Sequence, residues 1–170
     1  PHEIESMDVK PELQDKPTQA FLDKALESEE PAQDMHRGAL FEHAQAFIDQ
    51  LLPYAQTAAQ QLNTQPKVLL AQSALETGWG RHVLKRAHGA SSLNLFNIKA
   101  DERWQGDQVK VNTVEFKQGL IRQEPAYFRA YDSIAESFQD YVDFLTHQPR
   151  YQKALQVAKE PQAFLAELQQ

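Results

Sequence analysis

Glu76 follows the run Ala71-Gln72-Ser73-Ala74-Leu75 and is itself followed by Thr77-Gly78-Trp79-Gly80. The spacing places this carboxyl in the last turn of a largely apolar helix that Gly78 terminates. A helix dipole disfavours negative charge at its C-terminal end, and partial burial would act in the same direction. Both effects push a carboxyl towards its protonated form. A protonated carboxylic acid near neutral pH can donate to the oxygen of a departing sugar. The residue could instead be a surface glutamate near a helix end, and taken alone it leaves both roles open.

Several elements must position that residue. Leu40, Ala44, Phe47, Ile48, Leu51 and Leu52 recur at helical spacing, and Pro53 is expected to interrupt them before a second short helix reaching Leu62. Asn63-Thr64-Gln65-Pro66 reads as a stop and restart with Thr64 as N-cap, and the Glu76 helix follows. Val109, Val111 and Thr113 alternate with Lys110 and Asn112, and Lys117-Gln118-Gly119 supplies a turn before Leu120-Ile121, so a small β-hairpin is expected. Ser133-Ile134-Ala135-Glu136 is a capping box leading into Phe138, Tyr141, Val142 and Leu145, and Pro149 ends that helix. Two short helices, around residues 151–158 and 161–168, close the chain. The expected class is α+β, dominated by helix.

Composition narrows the function. The chain has 170 residues, enough for one domain with a core, and no apolar run of the roughly 18 residues that a membrane span requires. Residues 1–34 hold ten of the 24 acids and three of the 17 bases, so the net charge of −7 sits entirely there. Residues 1–36 therefore read as a disordered acidic tail or linker, and residues 37–170 as the folded domain. The opening Pro1-His2-Glu3-Ile4-Glu5 does not resemble a signal peptide. Residues 81–122 carry eight Lys or Arg against four Asp or Glu, which suits an anionic polymer or simply a solvated surface. An acidic chain of pI near 5.3 is a poor nucleic-acid binder. There is no cysteine, which excludes a thiol nucleophile, and the six histidines show no metal-binding spacing. No cofactor is expected.

The run Gln72–Gly80 resembles the catalytic helix end of the glucosaminidases and lysozyme-like wall hydrolases. Asn94-Leu95-Phe96-Asn97-Ile98-Lys99-Ala100 is similar to their Asn-Leu-Phe-Gly-Ile-Lys segment. Phe128–Ser133, Tyr141–Leu145 and Pro149-Arg150-Tyr151 match later blocks in the same order, and the resemblance covers roughly residues 39–160. It is strongest to the hydrolase domains of flagellar rod-associated wall hydrolases. It implies a lysozyme-like fold in which an α-lobe and a small β-hairpin lobe flank a substrate groove.

The resemblance further implies that Glu76 is the general acid of a periplasmic endo-β-N-acetylglucosaminidase. Such an enzyme would cut peptidoglycan glycan strands so that the flagellar rod can cross the wall. Glu115 matches a second acidic residue in the β region, a candidate base or an exposed hairpin glutamate. Trp79 and Trp104 could stack on sugars or pack locally. Tyr127, Tyr131 and Tyr151 could line the groove or pack in the core. Asn94 and Lys99 could bind glycan or position the β-lobe, and Gln72, one turn before Glu76, could orient it. A lytic transglycosylase, a muramidase, or a non-catalytic wall-binding module are the alternatives.

Flagellar rod proteins would bind through a part of the parent protein absent here. Two departures accompany the match. Asn97 stands where the family usually has Gly, and the family's further Gly-Tyr-Ala-Thr-Asp segment has no counterpart after Gln170.

Overall fold

The computed structural model describes residues 35–170. The expectation for the acidic tail lies outside those residues, apart from its last two positions, which already belong to the first helix.

That helix, α1 (Met35–Leu62), runs unbroken through Pro53, contrary to the expected interruption. Pro53 is exposed, as is Asp49, whose carbonyl loses its intrahelical donor and can turn to water. On the opposite face Phe47, Leu51, Ala55, Ala58, Ala59 and Leu62 form one buried stripe. An interior proline costs about 3 kcal/mol, and burying the stripe's Phe and Leu side chains at about 1.5–3 kcal/mol each outweighs it.

Asn63, at φ 59°, makes the turn into α2 (Pro66–Thr77). Thr64 is not its N-cap. Gln65 takes that position without a side-chain bond, Pro66 fills the first turn, and the Thr64 hydroxyl is buried without a hydrogen-bond partner. Val68, Leu69, Leu70 and Ala74 of α2 pack into the same core as α1.

A long irregular segment leads to the expected hairpin, β1 (Asp107–Lys117) and β2 (Leu120–Ala130), antiparallel with Glu115 opposite Arg122 and Phe116 opposite Ile121. Gln118 (φ 52°) and Gly119 (φ 76°) supply the two left-handed residues of its tight turn. At its base Val109, Ala126, Phe128 and Ala130 form a small second core with Leu84 and Val111. The segment 98–100 bridges to the other edge of β2, Lys99 opposite Phe128: the Arg129 amide donates to the Ile98 carbonyl at 3.0 Å, and the Ala100 amide to the Tyr127 carbonyl at 2.9 Å.

Helix α3 (Ile134–His147) starts where the capping box lies, the Ser133 hydroxyl accepting from the Glu136 amide at 3.1 Å. The Glu136 carboxylate reaches back to the Asp132 amide rather than to that of Ser133. Buried Phe138, Tyr141, Val142, Phe144 and Leu145 dock α3 on α1 and α2. Pro149 ends it in a 3-10 turn (Pro149–Tyr151) that runs into α4 (Gln152–Gln156), and α5 (Pro161–Leu168) closes the chain. A helical lobe with a projecting β-hairpin is the α+β, lysozyme-like arrangement that the sequence led us to expect.

Candidate active site

Glu76 sits in the last turn of α2, half-buried, where the chain reverses through three consecutive left-handed residues: Gly78 (φ 55°), Trp79 (φ 58°) and Gly80 (φ 85°). The amides of Gly78 and Trp79 both return to the Ala74 carbonyl, the latter at 2.8 Å, and so satisfy the helix end. A side chain at either glycine would collide. A Cβ on Gly78 would lie 2.6 Å from the His82 ring, and one on Gly80 2.7 Å from the Phe47 ring. Buried Thr77 closes the turn, donating to the Ser73 carbonyl at 2.7 Å and accepting from the Gly80 amide at 3.0 Å.

The segment 92–98 is pressed against this helix end. Phe96 packs on α3, stacked on Tyr141 at 4.0 Å between ring centroids and edge-on to Phe138 at 5.1 Å. Phe96 and Ile98 are both buried, so the residue between them has little freedom. That residue, Asn97, holds φ 50°. Its Nδ2 donates to the Glu76 carbonyl at 2.8 Å and to Glu76 Oε2 at 3.0 Å. The backbone contact satisfies an orphan carbonyl at the C-terminal end of α2, and the other fixes the carboxyl.

Tyr141 and Gln72, both buried, lie behind Glu76. Burial pushes the Tyr141 hydroxyl well above its ordinary pKa; Tyr151 and Glu76 add to the rise and Gln72 works against it. Tyr151 is also buried, its ring tilted on Phe144 at 5.5 Å and its hydroxyl accepting from Arg150 Nη2 at 2.9 Å. Gln72 and Glu76, one turn apart on α2, and the sequence-distant Tyr151 are therefore neighbours of one buried phenol.

Other candidates serve the junction between lobes. Asn94 is fully buried and has no atom left for a sugar. Its Nδ2 donates to the Ile98 and Arg129 carbonyls, both at 2.9 Å, and its Oδ1 accepts from the Ile98 amide at 3.0 Å. Of its two expected roles, positioning the β-lobe is the one its contacts perform. The Lys99 carbonyl accepts from Arg129 Nε at 3.1 Å. Tyr131 is buried, its hydroxyl donating to Asp140 Oδ2 at 2.5 Å; burial and then the Asp140 charge raise its pKa far above the ordinary value. These contacts make Tyr131 a packing residue rather than part of a groove wall. Trp104 lies edge-on to Tyr131 at 5.5 Å, with the Arg129 guanidinium 4.9 Å from its ring and its own Nε1 donating to the Asp107 carbonyl. Trp79 meets Phe47 edge-on at 6.4 Å, and its carbonyl is bonded by His43 at 3.1 Å. Tyr127 remains 43% exposed on the hairpin.

Glu115 stands on β1, near the hairpin tip. Strand alternation puts it on the same sheet face as Val109, Val111 and Thr113, the face that packs inward at the base. Its carboxylate pairs with Lys117 Nζ at 3.3 Å, and hydrogen bonding by Glu115, with Glu124 beside it, raises the Lys117 pKa. Among the described residues no group of three His, Cys, Asp or Glu is placed to hold a metal. None of their helices is long and apolar enough to cross a membrane.

The helix end bearing Glu76, the 92–98 segment and the hairpin all lie within residues 52–170, which match the sequence model of the glucosaminidase family, described as mannosyl-glycoprotein endo-beta-N-acetylglucosaminidase. The chain belongs to the glucosaminidase family. It is 45% identical over 142 residues to "Peptidoglycan hydrolase FlgJ" of Vibrio parahaemolyticus, covering 84% of this chain and 46% of that protein. To the protein of the same name from Vibrio cholerae it is 50% identical over 115 residues, covering 68% and 34%. The chain thus spans less than half the length of these relatives. The crystal structure of a peptidoglycan hydrolase from Sphingomonas sp. A1 superposes with a TM-score of 0.65 at 43% identity, covering 74% of this chain and 75% of that one.

Within this glucosaminidase domain two groups escaped sequence reasoning. Asn97 was visible as a departure from the family segment, but its partner was not. The cluster of Arg129, Asp140 and Asp101 joins β2 to α3, with Arg129 Nη1 2.9 Å from Asp140 Oδ2 and Nη2 3.7 Å from Asp101 Oδ1. Its signal was a lone charged residue within the otherwise apolar and aromatic run Tyr127-Phe128-Arg129-Ala130-Tyr131.

Proposed function

We propose that this chain is a peptidoglycan hydrolase of the endo-β-N-acetylglucosaminidase type with Glu76 as its general acid. The observation that carries the reading is a half-buried carboxyl at a helix C-terminal end, oriented by an amide and backed by a buried phenol. Glu76 gives its proton to the glycosidic oxygen as the C–O bond breaks and that oxygen takes the electron pair. Water adds to the anomeric carbon and loses its proton to a base. Glu115 fills that role when the hairpin carries its inward face towards Glu76. Family membership and the names of the relatives support peptidoglycan as substrate. A peptidoglycan substrate fits action in the periplasm, where local wall cleavage would let a flagellar rod pass.

Glu76→Gln keeps shape and removes the proton donor. Release of glycan fragments from purified peptidoglycan should fall by about 10²–10⁴-fold. Mass spectrometry of the wild-type products should find reducing N-acetylglucosamine ends. Anhydro-muramyl or reducing muramyl ends would assign the neighbouring bond to the same acid. Binding without any cleavage would leave a wall-binding module.

A further inference from the structure

Asn97 is the one side chain of the 92–98 segment seen to touch the Glu76 carboxyl, and the fold invests in holding it there. Buried Phe96 and Ile98 flank it, and the Leu95 amide before them donates to the buried Ser137 hydroxyl of α3 at 3.2 Å. Its backbone is left-handed, a conformation that asparagine tolerates better than most side chains. The orientation of its amide is settled by chemistry: two acceptors, the Glu76 carbonyl and Oε2, face one end of it, so that end must be the nitrogen.

From this geometry we infer that Asn97 is a positioning residue that sets the acidity and orientation of Glu76, an inference resting on the general-acid reading above. By donating to Oε2, Nδ2 fixes the rotation of the carboxyl and so the direction in which its transferable proton points. When that proton has left for the glycosidic oxygen, the same N–H holds the carboxylate that remains. A donor to the charged form of an acid lowers its pKa, so Asn97 opposes the influence of the helix end and of burial. Titratable groups near Glu76 include Tyr141 from α3, with Tyr151 and its partner Arg150 beside that phenol, and His82 against Gly78. All of them are retained in the Asn97 variants.

Two variants that tolerate a positive φ test this. Asn97→Gly removes the donor, and Asn97→Asp replaces it with an acceptor of nearly the same shape. The ¹³C carboxyl titration of Glu76, assigned by its loss in Glu76→Gln, should move up by about one pH unit in Asn97→Gly, and further in Asn97→Asp. The alkaline limb of kcat/KM on peptidoglycan should move with it. At its plateau kcat should fall about tenfold in Asn97→Gly with KM little changed. A Glu76 titration within a few tenths of a unit of wild type in both variants would overturn the inference. Because that titration needs no turnover, it separates this failure from that of the general-acid reading, which Glu76→Gln tests alone.

Discussion

Arg129 Nη1 lies 2.9 Å from Asp140 Oδ2, so a guanidinium on β2 is clamped to a carboxylate on α3. Both side chains are largely buried, and the same carboxylate accepts from the Tyr131 hydroxyl. Removing one member of a buried ion pair leaves an uncompensated charge. Asp140→Ala is expected to cost about 3–5 kcal/mol in urea unfolding, and the double change Arg129→Met with Asp140→Leu markedly less. Equal losses in the two would show that the cluster does not act as a charge pair.

The two buried phenols make an alkaline prediction. Tyr131 and Tyr141 ionise far less readily in the folded state than in the unfolded chain, where the pKa is about 10. Their contribution to stability is complete below that value and is lost as pH rises beyond it. Unfolding above about pH 10 should therefore release tyrosinate absorbance cooperatively with the loss of helix. Tyr141→Phe should flatten the dependence.

Asp101 behaves in the opposite sense at acid pH. Burial opposes its ionisation, but Arg103 and then Arg129 outweigh burial, and its pKa is lowered. The stability it contributes is present above the unfolded-state value of about 3.9 and is lost as pH falls through its folded value. Asp101→Asn should therefore be less stable than wild type at pH 6, with the difference narrowing below about pH 4. A difference independent of pH would remove the charge from the account.

Much of this arrangement was legible before any coordinates. The helix end bearing Glu76, its Gly78 stop, the hairpin with its turn and the capped α3 all follow from rules spanning a few residues. Pro53 misled because a local penalty was weighed without the buried stripe that overrides it. The neighbourhood of Glu76 was hidden for a different reason. Asn97 reaches it from the 92–98 segment and Tyr141 from α3, with Tyr151 beside Tyr141 in turn, and no local spacing encodes such meetings. The polar atoms of Asn94 and Tyr131 turn to the protein's own backbone and to Asp140, contacts that lie across the junction of the lobes and have no local signature.

Gly80→Ala should destabilise the domain by about 1–3 kcal/mol, because φ 85° and the 2.7 Å approach to Phe47 both oppose a methyl group. Fragment release should fall as well, since the turn carrying Glu76 would shift. Thermal unfolding and glycan release measured on the same sample check both effects.

For Glu115, substitution by Gln should lower turnover while melting temperature and wall binding stay near wild type. The residue lies towards an exposed tip, where changes usually cost within about 0.5 kcal/mol. Unchanged turnover would remove Glu115 from the chemistry and leave the substrate's own acetamido group as the better nucleophile.

Val114, Phe116 and Ile121, each about two-thirds exposed or more, share the outer face of the hairpin, and the described residues place no strand beside the far edge of β1. An unpaired edge with an apolar row invites another strand to add to it. Lys110, on the same face of that strand, charges the edge and discourages such growth. The hairpin thus carries its own safeguard against fibre formation. Replacing Lys110 with threonine should make concentrated protein scatter light and bind amyloid dyes under conditions where the wild type stays clear.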